Sequence, residues 1–208
     1  MKRKIATSLL LFLVAYFSIL AVWLQVKSYY GYGIAQLGVR LATVTGDTRI
    51  KSISRSGDVI QATLERKVWS SRNLTEAEIP LSIRISTYTF NVPITFAIMA
   101  ALRPFIRWPW KILVEAGIIL AVIHLLYVVF FTIRFSQAAL SESGFIAMPP
   151  LSFRLGVQFM WLFIENMVLR FEPFLVAVYI YFRQASRSNI LPTPVKAKKP
   201  LLKPQKNR

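Results

Sequence analysis

The last long apolar run of the chain, from Phe153 to Arg183, is the feature that most limits its fold. The run is long enough for a helix to cross the hydrocarbon core of a bilayer. Its middle contains five polar side chains: Gln158, Glu165, Asn166, Arg170 and Glu172. On a regular helix, positions 158, 165 and 172 form one stripe, which positions 166 and 170 widen to roughly 160° of arc. Because charges at membrane depth normally face protein or trapped water, this helix needs neighbouring helices.

Three earlier apolar runs can supply those neighbours. Residues 5–24 carry no charge and follow a basic start, and no small-residue cleavage pattern comes after them. They predict an uncleaved signal anchor over 1–26. Residues 92–109 and 112–133 predict the second and third transmembrane helices, and 155–183 predicts the last, so the three lie within 89–183. With 55% hydrophobic residues, the chain is expected to be an α-helical membrane protein with about four transmembrane helices.

A small antiparallel β-rich domain is predicted between the first and second helices, over residues 27–88. Apolar and polar residues alternate within 59–68 and 79–86, a period of two that is typical of half-buried strands. The sequence Ser56-Gly57-Asp58 predicts a hairpin turn. We therefore expect three strands, at 48–54, 59–68 and 79–86. Their apolar face is expected to rest on an amphipathic helix near 34–44 or on the membrane surface.

The segments that connect the later helices are basic, aromatic or polar. Lys111 is predicted to pair with Glu115, four residues further along the same helix. Residues 134–151 predict a polar loop, and the proline- and lysine-rich residues 184–208 predict a disordered basic tail. The turn before the third helix is expected to be anchored at the membrane interface by Arg103, Arg107, Trp108, Trp110 and Lys111.

The net charge of +17 is distributed beside the apolar runs and in the tail. This distribution favours anionic lipid headgroups as a partner and argues against nucleic acid. With four spans, residues 1–4, 103–111 and 183–208 share one side, which carries fourteen basic and no acidic residues. The other side carries eleven basic and six acidic residues. The positive-inside rule then predicts that both termini are cytoplasmic and that the β-rich domain is exported.

Few residues suggest chemistry. The chain has no cysteine, which excludes thiolate chemistry, and it contains no phosphate-binding loop, serine elbow or metal motif. We therefore expect no cofactor and no metal site. His124 is the only histidine, and with Glu165, Arg170 and Glu172 it admits two interpretations. The carboxylates can balance Arg170 and fix helix packing, or the group can form a buried proton relay or catalytic site.

The layout of the chain also resembles a known family. A basic signal anchor, a small exported β-rich segment, the stretch STYTFNVP at 86–93 and three further spans together resemble the exosortase H-associated membrane proteins. The resemblance covers residues 1 to about 183. Exosortases are polytopic cysteine enzymes that process C-terminal sorting tails of exported proteins, so this chain cannot be that enzyme by that chemistry.

The resemblance implies a non-catalytic accessory of protein sorting in a bacterial inner membrane, with an exosortase or another membrane protein as partner. It carries over no catalytic residue. Two other classes are alternatives: a subunit or assembly factor of an envelope transporter, and an intramembrane enzyme that uses Glu165 or His124.

Overall fold

The structure, a computed structural model, describes residues 2–45, 48–70, 73–105, 109–144 and 149–190. It is mostly helical and has one small antiparallel sheet, as the sequence predicts. The elements in chain order are α1 (Lys2–Thr45), β1 (Arg49–Ser56), β2 (Val59–Ser70), β3 (Asn73–Arg84), α2 (Ile85–Thr89), α3 (Asn91–Leu102), α4 (Lys111–Glu142), α5 (Leu151–Phe163), a π-helical turn (Ile164–Val168) and α6 (Leu169–Ile190). The last three elements follow one another without a break, and together they are called the closing helix (residues 151–190).

Three helical stretches in the described part of the chain are long and apolar enough to cross a membrane: Arg3–Val44, Ile85–Leu102 and Lys111–Glu142. The predicted fourth span, 155–183, is not among them. Helix α1 has 44 residues and is therefore about 66 Å long. Its first half exposes apolar side chains, whereas Ala35 and Val39 in its second half are fully buried. The first half thus offers an apolar surface, and the second half supports the rest of the fold.

The three strands pair in the order β1–β2–β3, which confirms the predicted antiparallel sheet. Gly57 has a φ of +60° in the first hairpin turn, a conformation that glycine adopts without a steric penalty. The alternating residues Ile60 and Leu64 are buried and pair with Ile83 and Ile79. Strand β3 begins at Asn73 rather than at the predicted residue 79, because it pairs with β2 over the whole length of that strand.

The apolar face of the sheet packs against helices. Ala35 and Val39 of α1 and Leu140 of α4 belong to the same core as the inward-facing residues of β2 and β3. This is the first of the two supports predicted for the sheet. Lys27 Nζ of α1 lies 3.1 Å from Asp58 Oδ1, and the Ser86 hydroxyl donates a hydrogen bond of 2.5 Å to the other carboxylate oxygen. The tip of the first hairpin is therefore tied to both α1 and α2.

The pKa of Asp58 reflects these contacts. Partial burial raises the pKa, but the hydrogen bonds from Ser86 and Lys27 outweigh that effect and hold the pKa below its ordinary value of 3.8.

Contacts at the two ends show how the helices run. At one end, the Ser8 hydroxyl donates to the Ala101 carbonyl at 2.6 Å, and Arg183 pairs with Glu115. At the other end, the last turns of α1 and α4 meet the sheet and the first turn of the closing helix around a small cavity. Successive helical passes therefore run in opposite directions, and the sheet and the start of α1 lie at opposite ends of the bundle.

Several predicted boundaries differ from those observed. Helix α3 ends at Leu102 rather than at 109, because a helix normally ends before the residue that precedes a proline, here Pro104. Helix α4 continues to Glu142, through the first half of the predicted polar loop, because this extension buries Leu140 against the sheet. The closing helix likewise includes residues 184–190 of the predicted tail. Residues 191–208 lie outside the described residues.

Candidate functional site

The structure does not bring the five polar residues of the closing helix onto one face. Glu172 is fully buried, whereas Glu165 and Asn166 are half-buried and Gln158 and Arg170 are exposed. The predicted stripe is therefore wrong. Within the described residues, neither Glu165 nor Arg170 forms an ion pair, so the expected balance of Arg170 by the two carboxylates is also absent.

The physical reason is the π-helical turn at Ile164–Val168. A π turn closes its hydrogen bonds over five residues instead of four, so it inserts one extra residue into the helix. Everything after it is rotated by about 100° relative to a regular α-helix. Positions 158 and 172, which a regular helix places near each other, consequently face different sides. Before and after the turn, the buried positions are Val157, Trp161, Ile164, Leu169, Glu172, Pro173, Val176 and Ile180.

A buried contact from α3 supports the closing helix just after the π turn. Pro173 has no N–H and cannot donate to the carbonyl of Leu169, four residues before it. The side-chain amide of Asn91, itself 3% exposed, donates to that carbonyl instead. Asn91 thus satisfies a backbone group that Pro173 leaves without its helical partner.

This rotation places Glu172 beside His124. Both side chains are 0% exposed, and His124 Nε2 lies 3.2 Å from Glu172 Oε1 and 3.4 Å from Oε2. On the other side of the imidazole ring, the Tyr30 hydroxyl lies 2.8 Å from Nδ1. Three residues that are far apart in the sequence, on α1, α4 and α6, thus form one hydrogen-bonded chain, which is called the Tyr30–His124–Glu172 cluster.

The partners of the imidazole determine where its proton lies. An ionised carboxylate can only accept hydrogen bonds, so it favours a proton on Nε2 of His124. A tyrosine hydroxyl can donate or accept, and it therefore donates to Nδ1 when the imidazole is neutral. If the imidazole takes a second proton, the same hydroxyl can accept from Nδ1–H. The Tyr30–His124–Glu172 cluster can thus hold or pass a proton without rearrangement of heavy atoms.

Aromatic rings enclose the imidazole. Tyr30 and Tyr88 each approach it edge to face, with ring centroids 5.8 Å from that of His124. Tyr88 donates from its hydroxyl to the Gly31 carbonyl at 2.9 Å, and Tyr127 stacks on Tyr88. Edge-to-face contacts of this kind stabilise a packed arrangement beyond the area they bury. The enclosure separates the His124–Glu172 pair from solvent.

The remaining charged candidates lie elsewhere. Glu115 pairs with Arg183 rather than with Lys111: Arg183 Nε lies 2.7 Å from one carboxylate oxygen, and its Nη2 donates at 2.7 Å to the other. The two-point geometry that an arginine offers explains why it replaces the neighbour on the same helix. Arg103, Trp110 and Lys111 are exposed, and their role as interface anchors stays a prediction.

Arg107 and Trp108 lie outside the described residues. In the described part of the chain, no group of three His, Cys, Asp or Glu side chains could hold a metal ion.

His124 and Glu172 were each predicted as candidate residues, but their pairing was not predicted, and Tyr30 was not among the candidates. No local pattern signals the pair, because its geometry depends on the π turn. Pro173 was the available sign that the closing helix is irregular. No protein-family model, curated protein or solved structure matches this chain.

Proposed function

We propose that this chain is an integral membrane protein that acts as a non-catalytic accessory, by binding another membrane protein along its closing helix. Four passes would cross the bilayer: the first half of α1, the helices within 85–102, α4 and the closing helix. Exposed apolar side chains on these passes, including Phe17 at 64%, Ile118 at 58% and Phe174 at 63%, support a lipid environment. In the fourth pass, the chain itself fully shelters Glu172, and the cost of its other polar groups depends on a partner.

The proposed binding role rests on polar side chains of the closing helix that the rest of the chain does not cover. Arg170 and Gln158 are exposed, and Glu165 and Asn166 are half-buried, within a helix whose other exposed residues are mostly apolar. Polar groups at membrane depth are costly unless protein or water covers them. A partner helix that supplies hydrogen bonds to Arg170 and Glu165 would remove this cost.

The process that we propose is the sorting of exported proteins in a bacterial inner membrane. The layout that resembles exosortase-associated proteins suggests this process, with both termini cytoplasmic and the sheet outside. The basic residues at the end of the bundle opposite the sheet support this orientation. A subunit or assembly factor of an envelope transporter would use the same uncovered polar face, and the identity of the captured partner distinguishes the two.

A photo-crosslinking amino acid at Met167, which is 57% exposed between Glu165 and Arg170, tests the binding role directly. A matched control places it at Leu9 of α1, which is 61% exposed and lies on a different helix. We expect position 167, and not position 9, to capture one membrane protein in intact cells. Capture of a sorting enzyme or its tailed substrate supports the sorting role, and capture of a transporter subunit supports the alternative. Equal labelling of lipid alone at both positions would refute the binding role.

The Tyr30–His124–Glu172 cluster favours a second candidate, an intramembrane enzyme or proton relay. Glu172→Gln keeps the side-chain volume and one hydrogen bond but removes the carboxylate. If the cluster moves protons, this variant accumulates normally in cells but loses the catalytic or proton-transfer activity. Glu165→Gln then retains that activity. If the cluster serves packing, Glu172→Gln accumulates to a lower level, and the remaining protein is active.

A further inference from the structure

A cavity of about 330 Å³ lies between the end of α4 and the start of α5, at the end of the bundle that holds the sheet. This volume is within the range of small-molecule sites. Its lining combines two guanidinium groups with amide, hydroxyl and carboxylate groups, from Arg134, Gln137, Ser141, Glu142, Arg154 and Gln158. We propose that this cavity binds the phosphodiester headgroup of an anionic phospholipid in the leaflet on the sheet side.

Arg134 is the residue on which the proposal depends. Its guanidinium carbon lies 5.4 Å from the ring centroids of both Phe135 and Trp161, so two aromatic faces hold the side chain in place. Among the residues that the structure describes, Arg134 makes no ion pair. A planar guanidinium that is already oriented and lacks a carboxylate partner is well suited to bind two oxygens of a phosphate.

The other lining groups match the rest of such a headgroup. Arg154 contributes a second positive charge and Gln137 a neutral amide, whereas the Ser141 hydroxyl donates to the Ala138 carbonyl at 3.3 Å and is left as an acceptor. Glu142 also lines the cavity, and its carboxylate can accept hydrogen bonds from the hydroxyls of a glycerol headgroup. With Glu142 ionised, the lining carries a net charge of +1, which one phosphodiester neutralises.

The surroundings favour a lipid over a soluble phosphate. Leu151, Phe153 and Leu155, which flank Arg154 on α5, are 66%, 47% and 59% exposed. If the closing helix crosses the membrane, as proposed above, these side chains meet acyl chains while the guanidinium group reaches the headgroup region. The inference therefore rests on the proposed membrane insertion, but not on the proposed binding of a partner protein.

The test uses the full-length chain in nanodiscs that contain equal amounts of phosphatidylglycerol and phosphatidylcholine. Lipids that remain bound after release are identified by native mass spectrometry. We expect wild type to retain phosphatidylglycerol preferentially and Arg134→Gln to lower that retention by at least about tenfold, because a charge-assisted hydrogen-bonding partner is lost. Arg154→Gln is expected to have the same direction of effect. Arg40→Gln is the matched control, because Arg40 is exposed at the end of α1 nearest the sheet and does not line the cavity.

Each outcome supports or overturns the site. Equal retention of both lipids by wild type, or equal losses in Arg134→Gln and Arg40→Gln, would overturn it. Displacement of the lipid by millimolar inorganic phosphate would assign the cavity to a soluble anion instead. If Arg134→Gln does not fold, as judged by gel filtration and circular dichroism, Arg154→Gln decides the question. A wild-type chain that fails to enter nanodiscs would refute the membrane proposal, whereas one that enters without lipid preference would refute only this site.

Discussion

Replacing Glu172 by alanine should destabilise the protein far more than replacing Glu165, although the two lie seven residues apart on the same helix. Glu172 and His124 are both 0% exposed and 3.2 Å apart, so truncating one member leaves a buried polar ring without its partner. Breaking such a buried pair typically costs about 3–5 kcal/mol in the free energy of unfolding. Glu165 is half-buried and forms no ion pair within the described residues, so Glu165→Ala should cost less than about 1 kcal/mol.

The assay is equilibrium unfolding of the purified protein in mixed micelles, followed by circular dichroism as the denaturing detergent is increased. A double-mutant cycle with His124→Ala isolates the pair, because removal of both side chains leaves neither one unpaired. We expect the double variant to be more stable than the sum of the single losses implies. Equal losses for Glu172→Ala and Glu165→Ala, or strict additivity in the cycle, would show that the π turn does not bring Glu172 to His124.

Three further perturbations test the packing and the sheet. Deleting Met167 should restore a regular helix, rotate the following residues by about 100° and lower the melting temperature, whereas Met167→Leu should not. Gly38→Leu should destabilise the fold by about 1–3 kcal/mol, since a Cβ there lies 2.6 Å from a Val128 methyl group, whereas Gly33→Ala meets no neighbour and should not destabilise it. Because its pKa is lowered on folding, Asp58 stabilises the fold above pH 3.8, and this stabilisation is lost as the pH falls further. Asp58→Asn should abolish this part of the acid dependence. Hydrogen exchange of the sheet amides measures the effect.

Much of the architecture follows from local patterns. The alternation in 59–68 and 79–86, together with Gly57, predicted the sheet, because a strand exposes every second residue to one face whatever its neighbours are. The apolar runs predicted where long helices form. The predicted boundaries were less accurate where tertiary contacts extend an element. Helix α4, for example, continues beyond its predicted end at 133 because Leu140 packs against the sheet.

The candidate site was predicted as a list of residues but not as an arrangement. Assigning Glu165, Glu172 and Gln158 to one stripe assumed a constant rotation of 100° per residue, and an error in that rotation persists for the rest of the helix. One π turn was enough to separate Gln158 from Glu172. Tyr30 could not be assigned to His124, because 94 residues separate them and nothing in either segment specifies the contact.

The amino-acid sequence by itself determined that the chain has long helices and a three-stranded sheet and roughly where they lie, because periodicity and apolar length act locally on the backbone. Only the tertiary structure decided which polar groups are sheltered. Which side chains of the closing helix face the bundle depends on the rotation of that helix about its axis. The π turn changes this rotation, and Asn91 contacts the helix just beyond the turn. Burial of Glu172 against His124, and exposure of Arg170, are consequences of how distant segments pack, and no local pattern contains that information.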